Sequence, residues 1–206
     1  MKSTIVGKYF SVLGLNKIFK IQFLKFDFRG IGKSTSPYHS CHFNELKVID
    51  HNTILLGTKG WQDLSLKDSS LIKLSTNDMS AEFLATPGSF IASHDILNTS
   101  DCVIVTESIN ESIGIFNKKT NETYRIQLPR RGYFIRGIAK TNKGYLVGFS
   151  PNRTLLNSKE YKKKDKKNAF IEHYNNDFTK VFGEVDLDNF YPEYTGSAIH
   201  NIVQCD

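Results

Sequence analysis

A chain of 206 residues with 39% hydrophobic and 23% charged residues has the make-up of a globular protein with one substantial core or at most two small domains. Its longest apolar runs fall well short of the ~18 residues that a membrane-spanning helix needs. The N-terminal "MKSTIVGKYFSVLG" lacks the sustained apolar stretch and cleavage site of a secretory leader, so the expectation is a cytoplasmic protein with no transmembrane segment. Cys41, Cys102 and Cys205 are far apart and show no CxxC spacing, which points to reduced thiols rather than a disulfide frame or a zinc site.

Taken in chain order, the first elements read as short strands: "STIVGKYF", then "KIFKIQF" and "LKFDFRG". The stretch that follows, "GIGKST", ends like a phosphate-binding loop. That loop requires G-x-x-x-x-G-K-[ST], and Asp27 stands where the first glycine belongs, its carboxylate repelling phosphate and its backbone lacking glycine's freedom. Pro37 then falls where the first turns of the required helix would run, so "RGIGKSTSP" is a turn-rich connection and nucleotide binding through it is rejected.

From Glu45 onward, apolar runs recur between clusters of Gly, Asn, Asp and Pro. "ELKVIDHNTILLGT" holds two strands about a polar turn, with "SLIKLST" and "AEFLATP" after it. "HDILNTSDCVIVTE", from His94, is followed by "SIGIFN" and "YRIQLP". "RGIAKTNKGYLVGF", from Arg136, is followed by "AFIEHYN" and "KVFGEVDL". The three leading segments align without gaps, so that Gly57, Thr106 and Gly148 close the second strand of each. Four strands repeated at about 40–50 residues are the signature of propeller blades.

The two ends of the chain complete the pattern. "AIHNIVQCD" reads as a further first strand and "STIVGKYF" as a second strand lacking a first. The expectation is an all-β, four-bladed β-propeller forming a single domain over 1–206, with blades near 39–90, 91–132 and 133–192 and a last blade shared by 193–206 and 1–30; the alternative is a partial propeller completed by a second chain. Sharing a blade between the termini would leave no open sheet edge at the ring's seam.

The segments "HDILNTSDCVIVTESINESIGIFN" and "RGIAKTNKGYLVGFSPNR" resemble blades of NHL-type and arylsulfotransferase-like propellers. Together with "HFNELKVIDHNTILLGTKG", they are also similar to uncharacterised bacterial propeller-like proteins, with the likeness running loosely over 39–206. The resemblance implies the propeller fold. Arylsulfotransferases imply a catalytic His, but they are longer and exported, and their activity is not carried over.

First strands of propeller blades line the central channel, which makes the aligned positions the candidate site. Glu45, His94 and Arg136 share one level, His200 joins them within one residue, His42 lies three residues before Glu45, and Asp95 follows His94. Arg136 offers a planar fork for a small anion, and His94 can serve as an acid or base near neutral pH. The competing reading is that these side chains hydrogen-bond adjoining blades and staple the ring. A metal site from His42, His94 and His200 is disfavoured because two of them are not at equivalent levels and His-rich spacing is absent, and the identity of any cofactor is not legible.

Lesser candidates are Glu107, Asn110, Asn152 and Arg153 after second strands, and Trp61 in a polar loop. No GxSxG, HExxH or dinucleotide-binding glycine pattern occurs. The formal charge of +6 gathers in the Lys-rich "KEYKKKDKKN", residues 159–168, which reads as a solvated loop with no aromatic platform for bases, so a nucleic-acid partner is not expected. The expected function is non-catalytic binding, at the channel mouth, of a small anionic or sugar-like ligand or a protein partner. The alternative is a lyase, hydrolase or transferase using the His/Arg cluster. Oligomeric state is not legible.

Overall fold

A computed structural model describes residues 42–59, 69–78, 80–129, 132–151, 169–190, 199 and 202. Twelve strands lie among these residues, in three four-stranded antiparallel sheets. The protein is all-β there, as its alternating short apolar runs require. The described residues divide into two compact units, one up to Ser93 and one from His94 onward.

The first unit holds β1 (His42–Asp50), β2 (Thr53–Lys59), β3 (Ser69–Ser75) and β4 (Ala81–Phe90), side by side in chain order. Ile54, Leu55 and Leu56 on β2 and Leu71, Ile72 and Leu74 on β3 are buried in near-continuous runs, which suits the two central strands of a sheet covered on both faces. The β1–β2 turn is set by Asp50, whose Oδ1 accepts the Asn52 amide at 2.7 Å. Asp78 does the same between β3 and β4, where its Oδ1 accepts the Ser80 amide at 3.1 Å and the Ser80 hydroxyl at 2.8 Å.

Hydrogen bonds from the Ser75 side chain, and next from Ser80, lower the Asp78 pKa from 3.8 to about 2. A folded-state value below the unfolded one means that this turn's contribution is complete above about pH 4 and is lost as pH falls through about 2. Asp78→Asn should therefore flatten the dependence of melting temperature on pH between about 4 and 2 relative to the parent. An unchanged acid limb would show that the turn does not report on stability.

The second unit holds two sheets. One contains β5 (Ser93–Asn98), whose first residue belongs to the preceding unit, with β6 (Cys102–Glu107), β7 (Ser112–Asn117) and β8 (Glu122–Gln127). The other contains β9 (Tyr133–Thr141), β10 (Gly144–Pro151), β11 (Phe170–Tyr174) and β12 (Val181–Asp186), ending in a 3-10 turn over Leu187–Asn189. Their shared core joins Ile104, Ile113 and Ile115 to Ile135, Ile138, Val147 and Phe149. Phe149 stacks on Phe170 with centroids 4.8 Å apart, and Tyr133 meets Phe170 edge-on at 4.8 Å.

Gly144 opens β10 at φ +156, and a Cβ there would lie 1.9 Å from the Tyr174 carbonyl oxygen, so only glycine lets the neighbouring strand approach. The predicted strands before residue 42, the Trp61 loop, the Lys-rich run at 159–168, and Asn152 with Arg153 lie outside the described residues. No described helix is long and apolar enough to cross a membrane.

Candidate functional site

The gapless alignment of the three leading segments has a geometric counterpart in each sheet. Glu45 lies across from Gly57 in the β1–β2 ladder. Thr106 accepts the Asp95 amide on its Oγ1 at 2.9 Å. The Arg136 carbonyl sits against Gly148, where a Cβ would be only 2.3 Å from that oxygen. At this level β1 and β9 both break register. Phe43 and Glu45 pair with Thr58 and Gly57 with Asn44 as the extra residue, and Arg136 with Gly137 together face Gly148 alone.

Within the second unit, β5 is clamped to β9. Asp95 is buried; its Oδ1 accepts the Ile96 amide at 2.8 Å and its Oδ2 the Ile138 amide at 2.8 Å. Ser108, just past β6, adds a second tie by donating its hydroxyl to the Ile135 carbonyl at 2.8 Å. His94 and Arg136, both half-buried, therefore stand on strands that are hydrogen-bonded to one another through side chains.

Ser150 repeats the role of Ser108 at the corresponding position of β10. Its Oγ accepts the Ile199 amide at 2.7 Å and lies 3.2 Å from the Ile199 carbonyl oxygen. Ile135 precedes Arg136 and Ile199 precedes His200, so each serine meets the residue before an aligned candidate. In the first unit Ser93, the residue before His94, donates its hydroxyl to the Thr58 carbonyl at 2.8 Å and its amide to Ser69 Oγ at 3.2 Å.

Of the candidate residues, Asp95 and His94 are thus brought beside the strand of Arg136. Glu45 is half-buried on β1 of the first unit, and His42 opens the same strand. His200 lies outside the described residues, next to the described Ile199. Among the described residues no group of three or more His, Cys, Asp or Glu could hold a metal ion.

A second polar cluster was only half legible. Glu107 is fully buried at the end of β6. Its Oε1 accepts Arg125 Nη2 at 2.7 Å and its Oε2 accepts both Arg125 Nε and the Ser112 hydroxyl, the latter at 2.6 Å. Asn110 then donates to Ser112 Oγ at 2.9 Å. Hydrogen bonding to Glu107 is the largest influence on Arg125 and raises its pKa, against the opposing effect of burial. Glu107 and Asn110 stand out by position in "TESIN", but Arg125 becomes their partner only through the register of β6, β7 and β8, in which Gly114 pairs with both Val105 and Arg125.

No protein-family model matches the chain, and no curated protein matches it significantly.

Proposed function

We propose that the chain is a non-catalytic four-bladed β-propeller, of the NHL-type or arylsulfotransferase-like kind, its last blade shared between its two ends, and that it binds a small anion at the mouth of its channel. The observation that carries this reading is the Asp95–Ile138 bond of 2.8 Å, which sets the strands of His94 and Arg136 side by side as first strands of successive blades would be. The recurrence of the serine tie at Ser108–Ile135 and Ser150–Ile199 supports a further first strand beginning near Ile199. Arg136 supplies a permanent positive charge with donors in one plane, suited to an oxyanion, and His94 adds a second hydrogen-bonding group.

Calorimetric titration of the purified protein with inorganic phosphate, sulfate and acetate at constant ionic strength tests the reading. Saturable binding of at least one anion is expected, with loss of that binding in Arg136→Met, which keeps most of the packing volume. A parent protein that binds none of the three would overturn the proposal. So would an Arg136→Met variant that binds as well as the parent.

A further inference from the structure

The last strands of the three sheets differ at their outer edges. β4 is broken between the pairs Leu71–Ala85 and Ser69–Phe90, so that Thr86, Pro87, Gly88 and Ser89 stand opposite Ser70 alone. β12 bulges at Phe182, which falls between the pairs His173–Gly183 and Tyr174–Val181. Bulges and proline on an outer strand discourage other chains from pairing with it. β8 has neither. Its six residues pair with β7 in unbroken register from Glu122–Asn117 to Gln127–Ser112, and they include no Pro, Gly or Lys.

The ladder fixes how β8 presents its backbone. The Leu128 amide donates to the Glu111 carbonyl at 3.2 Å, which continues the β7–β8 register by one pair. Alternation along an antiparallel ladder then turns the N–H and C=O groups of Glu122, Tyr124 and Ile126 toward β7, and those of Thr123, Arg125 and Gln127 outward. Among the described residues, none donates to or accepts from these outward groups. Tyr124, 52% exposed, stands near the middle of the strand.

We infer that β8 is a pairing edge for a second copy of this chain, joined antiparallel across a two-fold axis between the two Tyr124 residues. In that register Thr123 of each copy meets Arg125 of the other, and both pairs exchange their outward N–H···O bonds. Tyr124 meets its own counterpart at a non-hydrogen-bonded position, where opposed side chains come closest and aromatic pairs stabilise. The strand is complementary to itself in this register: its cation faces a neutral hydroxyl, and its exposed ring faces a ring. A slip by one hydrogen-bonded step in either direction opposes Arg125 to Arg125, or Tyr124 to Glu122. Only backbone groups of Arg125 are used, so its side chain keeps Glu107. β8 lies at the far side of its sheet from β5, the strand of His94, and the pairing is independent of the anion site.

Sedimentation equilibrium of the full chain over a wide concentration range tests the inference. The parent should form a dimer, and Tyr124→Phe should keep it. Tyr124→Lys and Tyr124→Glu should each weaken association about tenfold or more, because each opposes like charges at the axis and removes the aromatic pair. An equimolar mixture of those two variants should dimerise again, since lysine then faces glutamate across the axis. Under mild oxidation Tyr124→Cys should give a disulfide-linked dimer that Thr123→Cys does not, because opposed Cα atoms at a non-hydrogen-bonded position lie about 4.5 Å apart. A parent that stays monomeric at every concentration overturns the inference. So does a Tyr124→Lys variant that associates as well as the parent, or a mixture that gains nothing over its two components. Crosslinking of Thr123→Cys in preference to Tyr124→Cys overturns it too, because the axis would then lie elsewhere.

Discussion

Arg125→Met should lower the stability of the protein by about 2–3 kcal/mol and its melting temperature by roughly 5–10 °C. Glu107 is fully buried, and Arg125 supplies two of its hydrogen bonds together with the neutralising charge. Removing the cation leaves a carboxylate in the interior without its neutralising charge, still accepting the Ser112 hydroxyl at 2.6 Å. Loss of one member of a fully buried pair costs about 3–5 kcal/mol. The Arg125 side chain is 34% exposed, so water reaches its end of the pair and the smaller figure applies.

The double variant Glu107→Leu/Arg125→Met separates charge from packing. It removes both ions, leaves Ser112 short of an acceptor at a cost of about 1 kcal/mol, and should be more stable than Arg125→Met alone. Urea denaturation of the four proteins of this cycle measures the coupling. A single variant within about 0.5 kcal/mol of the parent would show that the pair is solvated and contributes nothing.

What the sequence reveals and what it conceals divide along a physical line. Strands such as "CVIVTE" and "SIGIFN" are legible because β-branched runs between turn residues have no competing helical periodicity. Grouping into four-stranded sheets is legible too, because each leading segment repeats the same strand–turn–strand pattern, which the structure realises in sheets of order β1 to β4, β5 to β8 and β9 to β12. The place of Glu45, His94 and Arg136 on the leading strand of each sheet follows from the same alignment. The bulge at Arg136–Gly137 does not, because it depends on how Gly148 admits a second backbone.

Contacts set by register within a sheet or by packing between sheets are harder still to read. Ser108 looks like any polar residue after a strand until its hydroxyl is found on the Ile135 carbonyl, and Arg125 looks like a surface charge until two hairpin registers bring it to Glu107. Asp95 was legible as a candidate by its place beside His94. Its two amide partners were not, because one of them, Ile138, belongs to a different sheet.

That clamp makes Asp95→Asn the more informative substitution for the site. The amide keeps the shape of the carboxylate, but it offers one oxygen in place of two. Whichever way it is oriented, its NH2 group faces either the Ile96 or the Ile138 amide, and a buried donor loses its acceptor. The expected cost is about 2 kcal/mol, more than a surface substitution produces. If the amide turns its oxygen to Ile96, the tie between β5 and β9 is the bond that is lost. Exchange of the Ile138 amide with solvent should then accelerate by an order of magnitude or more, while the Val103 and Val105 amides in the middle of β6 remain protected. Loosening this tie separates the strands that carry His94 and Arg136, so anion affinity should fall in the same variant even though neither side chain has been altered. Unchanged stability together with a protected Ile138 amide would mean that the carboxylate is not what holds the two strands together. A destabilised variant that binds anions as tightly as the parent would mean that the clamp shapes the fold and Arg136 acts without it.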